Sequence, residues 1–333
     1  MELGFALLLA TVALAVVFDF INGFHDTANA IATVVATRVL TPIQAIAMAA
    51  LLNFLGAVSG TAVAKTVGSG LIDAKFATET AVVAALIGAI IWNLITWYQG
   101  IPSSSSHALI GGIIGAAVSE AGLSAPKWDQ VLEKVIVPFL VSPVVGALLA
   151  AGLMVLLMRI FFRSVPSAVS ALFGRLQVVS SAFMAFSHGG NDAQKTMGII
   201  TLAIVAHYKL DNFDVPLWVI VVSALAMAAG TAAGGWRIIK TMGTRLTELR
   251  PIHGFAAETS AGAVIETASR LGFPLSTTHV ISSAILGVGL AWRSSRVRWN
   301  VATTIVTAWV LTIPVCAALG YVAFAGLHAV LGQ

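Results

Sequence analysis

Charged residues are scarce in this chain of 333 residues. Asp, Glu, Lys and Arg make up 10% of it, whereas soluble domains carry roughly 25%. So little charge cannot cover a water-exposed surface, and 58% of the residues are hydrophobic, so lipid has to be the solvent. Uncharged runs long enough for a span of about 20 residues lie at 43–64, 80–98, 135–158, 216–236 and 299–327. Continuous apolar runs exclude the alternating strands of a β-barrel and predict a polytopic helical membrane protein.

Cysteine is almost absent as well. Cys316 is the single cysteine, so the chain has no internal disulfide, and its place in an apolar run predicts helix packing.

The net charge of +4 lies in loops, where it reports orientation and does not suggest nucleic-acid binding. The N-terminal run 3–17 lacks the basic start of a signal peptide and leads directly into a polar motif, so we interpret it as mature sequence.

The polar residues of the chain recur in order, which indicates an internal duplication. Residues 20–30 (FINGFHDTANA) match residues 186–196 (FSHGGNDAQKT) at an offset of 166, with Phe, Gly and Asp in register. Three further pairs follow in the same order with similar offsets: 65–68 with 240–243, 76–80 with 255–259, and 101–107 with 273–279.

Loop charges indicate how the two halves are oriented, because cytoplasmic loops are enriched in Lys and Arg. The linker at 159–175 holds three arginines and no acid, which places it inside. Matched loops differ in charge: 120–134 has three acids and two lysines, whereas 293–298 has three arginines. This pattern predicts two inverted-topology repeats, 1–158 and 176–333, with both termini outside the cytoplasm.

Glycines in the two matched motifs predict discontinuous helices. Gly23 and the pair Gly189-Gly190 lie inside segments too long for one straight span, and each is followed by an aspartate. A half-helix end exposes N–H or C=O groups that bind ions. We therefore expect an all-α fold with about 10 to 12 transmembrane helical segments and breaks at the motifs, as in many transporters.

Carboxylates that recur in both halves of an apolar chain are the strongest candidate site residues, since burying such charges is costly. Asp26 and Asn29 share a helix face, as do Asp192 and Lys195. Carboxylate and amide oxygens are good ligands for hard cations, whereas Lys195 favours an anion. A self-satisfied Asp192–Lys195 pair is the alternative. Glu258 matches Glu79 in the repeat and is the better candidate of the two to face a cavity, whereas Asp19 has no repeat partner and ranks lower.

Hydroxyl clusters follow a proline in each half, at Ser103–Ser106 and at Ser276–Thr278, which is typical of a helix start. Hydroxyls, free N–H groups and the positive helix end together form an oxyanion site. Ordinary N-capping explains one hydroxyl in each half and leaves the others unexplained. His107 and His279 close the clusters, either as satisfied core histidines or as ligands or proton carriers.

Together, GFHDTANA, GGNDAQKT, PSSSSH and PLSTTH resemble the inorganic phosphate transporter (PiT) family from about residue 18 to 292. The resemblance implies cation-coupled phosphate uptake with the duplicated motifs forming the site. Many members have Asn-Asp in both motifs, so His25 in the first motif has an open role. The positions implicated are, for the cation, Asp26, Asn29, Asn191, Asp192 and Glu258, and for phosphate, Ser104, Ser105, Ser106, Gln194, Lys195, Thr196, Ser276, Thr277 and Thr278.

We therefore predict a plasma-membrane symporter, and not an enzyme, that imports phosphate by alternating access, with Na⁺ held at Asp26, Asn29, Asn191 and Asp192. The first alternative is a proton symporter of phosphate or metal-phosphate, with His25, His107 or His279 as carrier. Sulfate transport, a membrane hydrolase triad and a channel are the others, although a triad needs one copy and each member here comes twice. We expect no cofactor besides the coupling cation. The expected partners are phosphate, Na⁺ or H⁺ and the bilayer, with a homodimer left open.

Overall fold

The computed structural model describes residues 3–72 and 78–331, and these form helices joined by short loops. Phe76 and Ala77 of one repeated motif lie outside the described residues. The first half contains Leu3–Ala36 (α1), Pro42–Ala57 (α2), Ala62–Gly70 (α3), Glu79–Gln99 (α4), Ser105–Ala121 (α5), Trp128–Val131 (α6) and Val137–Ile160 (α7). The second half contains Pro166–Tyr208 (α8), Leu217–Ala233 (α9), Trp236–Lys240 (α10), Pro251–Arg270 (α11), Thr277–Arg293 (α12) and Trp299–Leu331 (α13).

Several of these helices can cross a membrane by length and composition. Six are long and apolar enough, and up to eight if each of two bent helix pairs counts as one span. α11 and α12 fall outside that set because they carry buried polar residues, which neighbouring helices shield from lipid. The predicted polytopic all-helical fold is confirmed.

The helix contacts of one half recur in the other. α1 packs against α9 as α8 packs against α2, and α5 packs against α13 as α12 packs against α7. The last helix of each half therefore lies against the other half, since α13 also contacts α4 and α7 also contacts α11. Each half therefore contributes its last helix to the packing of the other half.

The equivalent helices α1 and α8 run antiparallel to each other, as an inverted repeat requires. Thr37 donates a hydrogen bond to Gln177 at 2.8 Å, and Ser181 donates to the Ala30 carbonyl at 3.1 Å. Farther back along α1, Asp26 lies beside residues later in α8. The contacting residues therefore come earlier along α1 as they come later along α8. The predicted inverted topology agrees with this arrangement.

The helix breaks lie elsewhere than predicted. α1 and α8 continue through Gly23 and Gly189-Gly190, so the predicted positions are wrong. The glycines are needed for close packing instead: a Cβ on Gly23 would collide with Gly230 Cα of α9, and one on Gly189 with the Asn53 backbone of α2. Two helices can cross this closely because glycine has no side chain at the contact.

The discontinuous spans are those that cross α1 and α8. α2 and α3 meet at a bend of 72°, and α9 and the segment after it meet at 61°. The second bend contains Gly234, whose φ of +73° favours glycine. Discontinuous helices are therefore present, but one element later in each half than the sequence suggested.

The connection between the halves is shorter than the predicted linker. α7 ends at Ile160 and α8 begins at Pro166, so residues 166–175 of the predicted linker 159–175 are helical. Proline suits the first turn of a helix, because backbone N–H groups there form no hydrogen bond within the helix and proline has no N–H. The division into repeats at 158 and 176 stays a prediction.

Replacing Gly189 by alanine tests whether this glycine packs or breaks the helix. We expect Gly189→Ala to destabilise the protein by about 1–3 kcal/mol, the usual cost of overpacking. Gly174→Ala on the same helix is the control, because a Cβ there meets nothing within 4 Å. That change should stabilise by roughly 1 kcal/mol through helix propensity. Thermal unfolding in detergent measures both, and equal stabilisation by the two changes would mean that Gly189 is not packed against α2.

Candidate functional site

A polar stripe runs along α1 inside an otherwise apolar interior. Asp19, Asn22, Asp26, Asn29 and Thr33 are spaced by three and four residues, which places them on one face of the helix. All five side chains are buried. Because α1 and α8 are antiparallel, this stripe lies against the motif of α8, and we call the shared surface the polar seam.

The centre of the seam joins the two repeated aspartates. Single ligand atoms of Asp26, His188 and Asp192 lie within 4.8 Å of one another, and we call these three residues the central cluster. His25 Nδ1 lies 2.6 Å from Asp26 Oδ1. A carboxylate from each half thus reaches the same point, where a further cation or a proton would reduce the repulsion between the two negative charges.

His188 lies between Asn53 and Asp192. Its Nδ1 lies 3.1 Å from Asn53 Oδ1, and the Asn53 amide nitrogen in turn donates to Thr231. Since Asn53 therefore presents its oxygen, His188 Nδ1 carries a hydrogen. Nε2 lies 3.1 Å from Asp192 Oδ2, at ion-pair distance. A proton on Nε2, or a cation beside it, would compensate the charge of Asp192.

The two amides beside the aspartates are oriented alike. Asn29 donates to Thr277 at 3.2 Å and Thr278 at 2.9 Å. Asn191 donates to Ser269 Oγ at 2.8 Å and the Phe273 carbonyl at 3.3 Å. In both residues the amide nitrogen is used and the buried oxygen has no hydrogen-bond partner among the described residues. Both oxygens are therefore free to bind a cation.

The starts of α5 and α12 meet at the seam. Ser106 on α5 donates to the Leu275 carbonyl just before α12, at 3.1 Å. Ser104 and Ser276 cap these helices, because their hydroxyls accept from the backbone N–H of His107 and His279. The capping role therefore accounts for one hydroxyl in each cluster. The positive ends of two helices from different halves converge here.

Lys195 connects the helix starts to the central cluster. Its ammonium donates to Asp192, to Ser106 Oγ at 2.5 Å and to the Leu275 carbonyl at 3.0 Å. Thr277 donates to Asp192 at 2.9 Å, and Thr278 donates to Asp26 at 3.4 Å. The hydroxyls of Ser105 and Thr196 are buried and have no hydrogen-bond partner among the described residues. An anion placed here would meet Lys195, two helix N-termini and two free hydroxyls.

Two predicted site residues lie outside this arrangement. Gln194 accepts from the backbone N–H of Val63 at 2.8 Å and donates to the Gly190 carbonyl, so both ends of its amide serve the protein. Glu258 accepts hydrogen bonds from Thr33, Ser180 and Gln177. Thr33 lies seven residues beyond Asp26, about 10 Å along α1 at 1.5 Å per residue. Glu258 is thus a separate carboxylate farther along the seam.

The three predicted histidines differ in their surroundings. His25 contacts Asp26, and its Nε2 lies 3.0 Å from Thr96 Oγ1, so both ring nitrogens are engaged. His107 and His279 lie with ring centroids 4.8 Å apart, and His279 stacks on Trp309. Neither ring contacts a carboxylate among the described residues. Of the three, only His25 therefore lies where it can exchange a proton with the central cluster.

His188 is a site residue that the sequence analysis did not single out. It precedes Asp192 by four residues, which places both on one face of α8. The duplication contains a signal for it: at the offset of 166, His188 corresponds to Asn22 and Asn191 corresponds to His25. The histidine and the asparagine have exchanged places between the halves. Each motif thus brings one histidine to its own aspartate.

Comparison with known proteins gives the same family as the motifs. The model of the phosphate transporter family (PHO4) matches residues 22–320. The chain is 48% identical over 317 residues to a "Probable low-affinity inorganic phosphate transporter" of Rhizobium meliloti, covering 95% of each. It is 45% identical over 327 residues to a Bacillus subtilis protein of the same name, covering 97% and 98%.

A solved structure has the same fold over nearly its whole length. It is described as "The sodium-dependent phosphate transporter" and superposes with a TM-score of 0.88 at 25% identity, covering 97% of this chain and 99% of that one. The sequence matches extend through both halves and include the residues of the central cluster. The chain therefore belongs to the phosphate transporter family.

Proposed function

We propose that this protein is a secondary active transporter that imports inorganic phosphate together with Na⁺, by alternating access of the two repeats. The observation that carries the proposal is the meeting of opposed helix N-termini and Lys195 with two aspartates, one from each half. An anion and a cation can bind side by side there. The printed names of the relatives support phosphate as the anion.

Phosphate would bind between the starts of α5 and α12. The free hydroxyls of Ser105 and Thr196 would donate to its oxygens, as would backbone N–H groups of the two first turns. Lys195 would exchange its bond to the Leu275 carbonyl for one to phosphate. Ser106 and Thr277 line the same space, while Ser104 and Ser276 act by holding the helix ends in place.

Na⁺ would bind in the central cluster. Asp26 and Asp192 supply charge, and Asn29 and Asn191 supply amide oxygens that have no other partner in the described part of the chain. Hard cations prefer oxygen ligands of this kind. Na⁺ would also lower the cost of bringing a phosphate anion into the membrane. Sodium dependence in the name of the structural relative supports this assignment.

The composition of the site supports alternating access. α1 and α8 supply the aspartates, and each packs against the bent helix pair of the other half. The site residues are at most 3% exposed, so this conformation is closed to both sides. Rocking of one repeat against the other would open the seam at one end and then at the opposite end.

A proton-coupled mechanism is the second candidate. It is favoured by the histidine that each aspartate has beside it, His25 at 2.6 Å and His188 at 3.1 Å. A proton shared within either pair would neutralise a carboxylate without any metal ion. His107 and His279 are less suited to this role because aromatic rings surround them.

The cellular orientation belongs to the proposal as well. We place the protein in the plasma membrane, with the arginine-bearing connection around residues 159–163 inside and both termini outside. An inward Na⁺ gradient would drive phosphate into the cell through this transporter. Sulfate is the competing anion.

Removing either repeated carboxylate tests the cation site. Asp26→Asn and Asp192→Asn keep the side-chain shape and remove one charge, so we expect each to nearly abolish phosphate uptake while the protein still folds and inserts. Uptake into proteoliposomes, with sodium and pH gradients imposed separately, measures the effect. If Na⁺ is the coupling ion, uptake by the wild type responds to the sodium gradient. If the transporter is selective for phosphate, excess sulfate leaves the uptake unchanged.

The control is Glu266→Gln, which removes a carboxylate from a partly exposed pair with Arg270. It should transport as the wild type does. If an Asp variant transports normally with unchanged cation dependence, that aspartate is structural. If wild-type uptake follows only the pH gradient, coupling is to protons.

Two neighbouring serines separate substrate binding from helix capping. Ser105→Ala removes a hydroxyl that has no hydrogen-bond partner in the described part of the chain, so stability should hardly change. A hydrogen bond to a charged ligand is worth about 1.5–3 kcal/mol, so the half-saturating phosphate concentration should rise by roughly tenfold or more. Ser104→Ala is the matched control: loss of the cap should cost about 1 kcal/mol of stability and leave phosphate affinity nearly unchanged.

Phosphate titration and melting temperature on both variants provide the readouts. The opposite pattern, with affinity lost in Ser104→Ala only, would place the phosphate elsewhere. Equal loss of stability in both, with unchanged affinity, would mean that both hydroxyls serve the helix.

A further inference from the structure

A polar cavity that the proposed mechanism does not use lies beside the first hydroxyl cluster. It is enclosed by the end of α4, the segment after α10 and the start of α13, and its volume is about 270 Å³. A water molecule in the liquid takes about 30 Å³. The cavity therefore has room for a small anion together with several waters.

Arg245 gives this cavity a positive charge. Its side chain is exposed, and no acid among the described residues pairs with it. Glu248, the acid closest to it in sequence, accepts hydrogen bonds from Arg296 at 2.7 Å instead. A guanidinium presents a planar fork of N–H donors that matches the oxygens of a phosphate. Arg245 is therefore available to bind such an anion.

Two amides line the same cavity. Asn300 Oδ1 accepts a hydrogen bond from the backbone N–H of Val301 at 3.0 Å, which leaves the amide nitrogen of Asn300 as the available donor. The side chain of Gln99 has no hydrogen-bond partner in the described part of the chain. One cation and two amides that can donate are thus gathered around a space of anion size.

The cavity adjoins the proposed phosphate position through the backbone. Gly100 and Pro102 line it, and Ser103–Ser106 follow directly in the chain. Thr241 donates to the Gly100 carbonyl at 2.8 Å, and Trp309 donates to the Pro102 carbonyl at 3.3 Å. The turn that leads into the hydroxyl cluster is therefore held in place as a wall of the cavity.

The two ends of the molecule differ in charge at this position. Residues 237–250 and 293–298 are rich in arginine, so the cavity lies at the end that the proposed orientation places in the cytoplasm. α7 and α13 correspond at an offset of 171, which aligns Pro143 with Pro314. At this offset Asn300 corresponds to Asp129, so the outer end has an acid where the cytoplasmic end has an amide.

We propose that this cavity is a release site for phosphate, in which Arg245, Gln99 and Asn300 bind the anion after it leaves the hydroxyl clusters. The inference rests on the proposed function, because it assumes phosphate import and the orientation given above. A second, weaker site would divide release into two steps, so that phosphate exchanges its contacts for new ones before it reaches water. The same site would bind phosphate that has accumulated in the cytoplasm, which would slow further release.

Transport measured separately from each face tests this site. Cells that lack other phosphate transporters offer phosphate to the outer face, and inside-out vesicles from the same cells offer it to the cytoplasmic face, with an inward Na⁺ gradient in each case. Arg245→Gln should raise the half-saturating phosphate concentration at the cytoplasmic face by about fivefold, the loss expected for one ion contact in water. The value at the outer face should stay nearly unchanged.

Asn300→Asp introduces the acid of the matched outer position and should raise the value at the cytoplasmic face at least as much, because its charge repels phosphate. Higher ionic strength should reduce both effects through screening. Arg245→Lys keeps the charge and should remain close to the wild type at both faces. Arg163→Gln is the matched control, because Arg163 lies in the connection between α7 and α8 and does not line the cavity.

Phosphate titration of purified protein in nanodiscs of phosphatidylcholine distinguishes free phosphate from the headgroup of an anionic lipid. With no anionic lipid present, we expect a second, weaker binding step that Arg245→Gln removes. Absence of that step in the wild type overturns the release site.

The transport measurements have their own contradicting outcomes. An unchanged value at the cytoplasmic face in Arg245→Gln overturns the release site and leaves the proposed function intact. An equal rise at both faces also overturns it, because Arg245 would then support the whole transporter. A wild type that transports no phosphate from either face refutes the proposed function itself, and the release site with it.

Discussion

Burial of carboxylates at the crossing of α1 and α8 is the constraint on which the structure depends. An ionised carboxylate inside an apolar helical bundle is stable only beside compensating groups. Asp192 has Lys195, His188 and Thr277 around it, and Asp26 has His25 and Thr278. The helix ends, hydroxyl clusters and amides are arranged around these two charges. Transport chemistry follows from charges that the protein alone leaves incompletely compensated.

Close helix packing brings these charges together. Gly23 lets α1 contact α9, and Gly189 lets α8 contact α2, so each helix of the seam rests on the other half. The exchange of α7 and α13 ties the halves at the periphery in the same reciprocal way. An inverted repeat built like this has equivalent contacts on both sides of the site. Motion that opens one end therefore has a counterpart that opens the other.

The two halves of the polar seam carry different side chains at several matched positions. Asn29 corresponds to Lys195, so one half supplies an amide oxygen and the other an ammonium. Asp19 corresponds to Ala185, and Glu258 lies beyond the centre with three donors of its own. A duplicated chain thus places anion and cation chemistry at different distances from the centre. Strict symmetry would make the two halves of the seam chemically equal, whereas these differences make them unequal.

The sequence by itself determined the membrane class, the duplication, the inverted orientation of the halves and the repeated aspartates. Scarce charge, motifs that recur at similar offsets and the composition of the loops record these features in the sequence itself. Tertiary structure alone decided which glycines pack, which serine caps its helix and which oxygens remain unpaired. Residue types such as those of Gly189, Ser104 and His188 occur in several structural roles, and contacts with neighbouring helices determine which role each one has here. Contacts between residues far apart in sequence cannot be deduced from local pattern, because packing geometry fixes them.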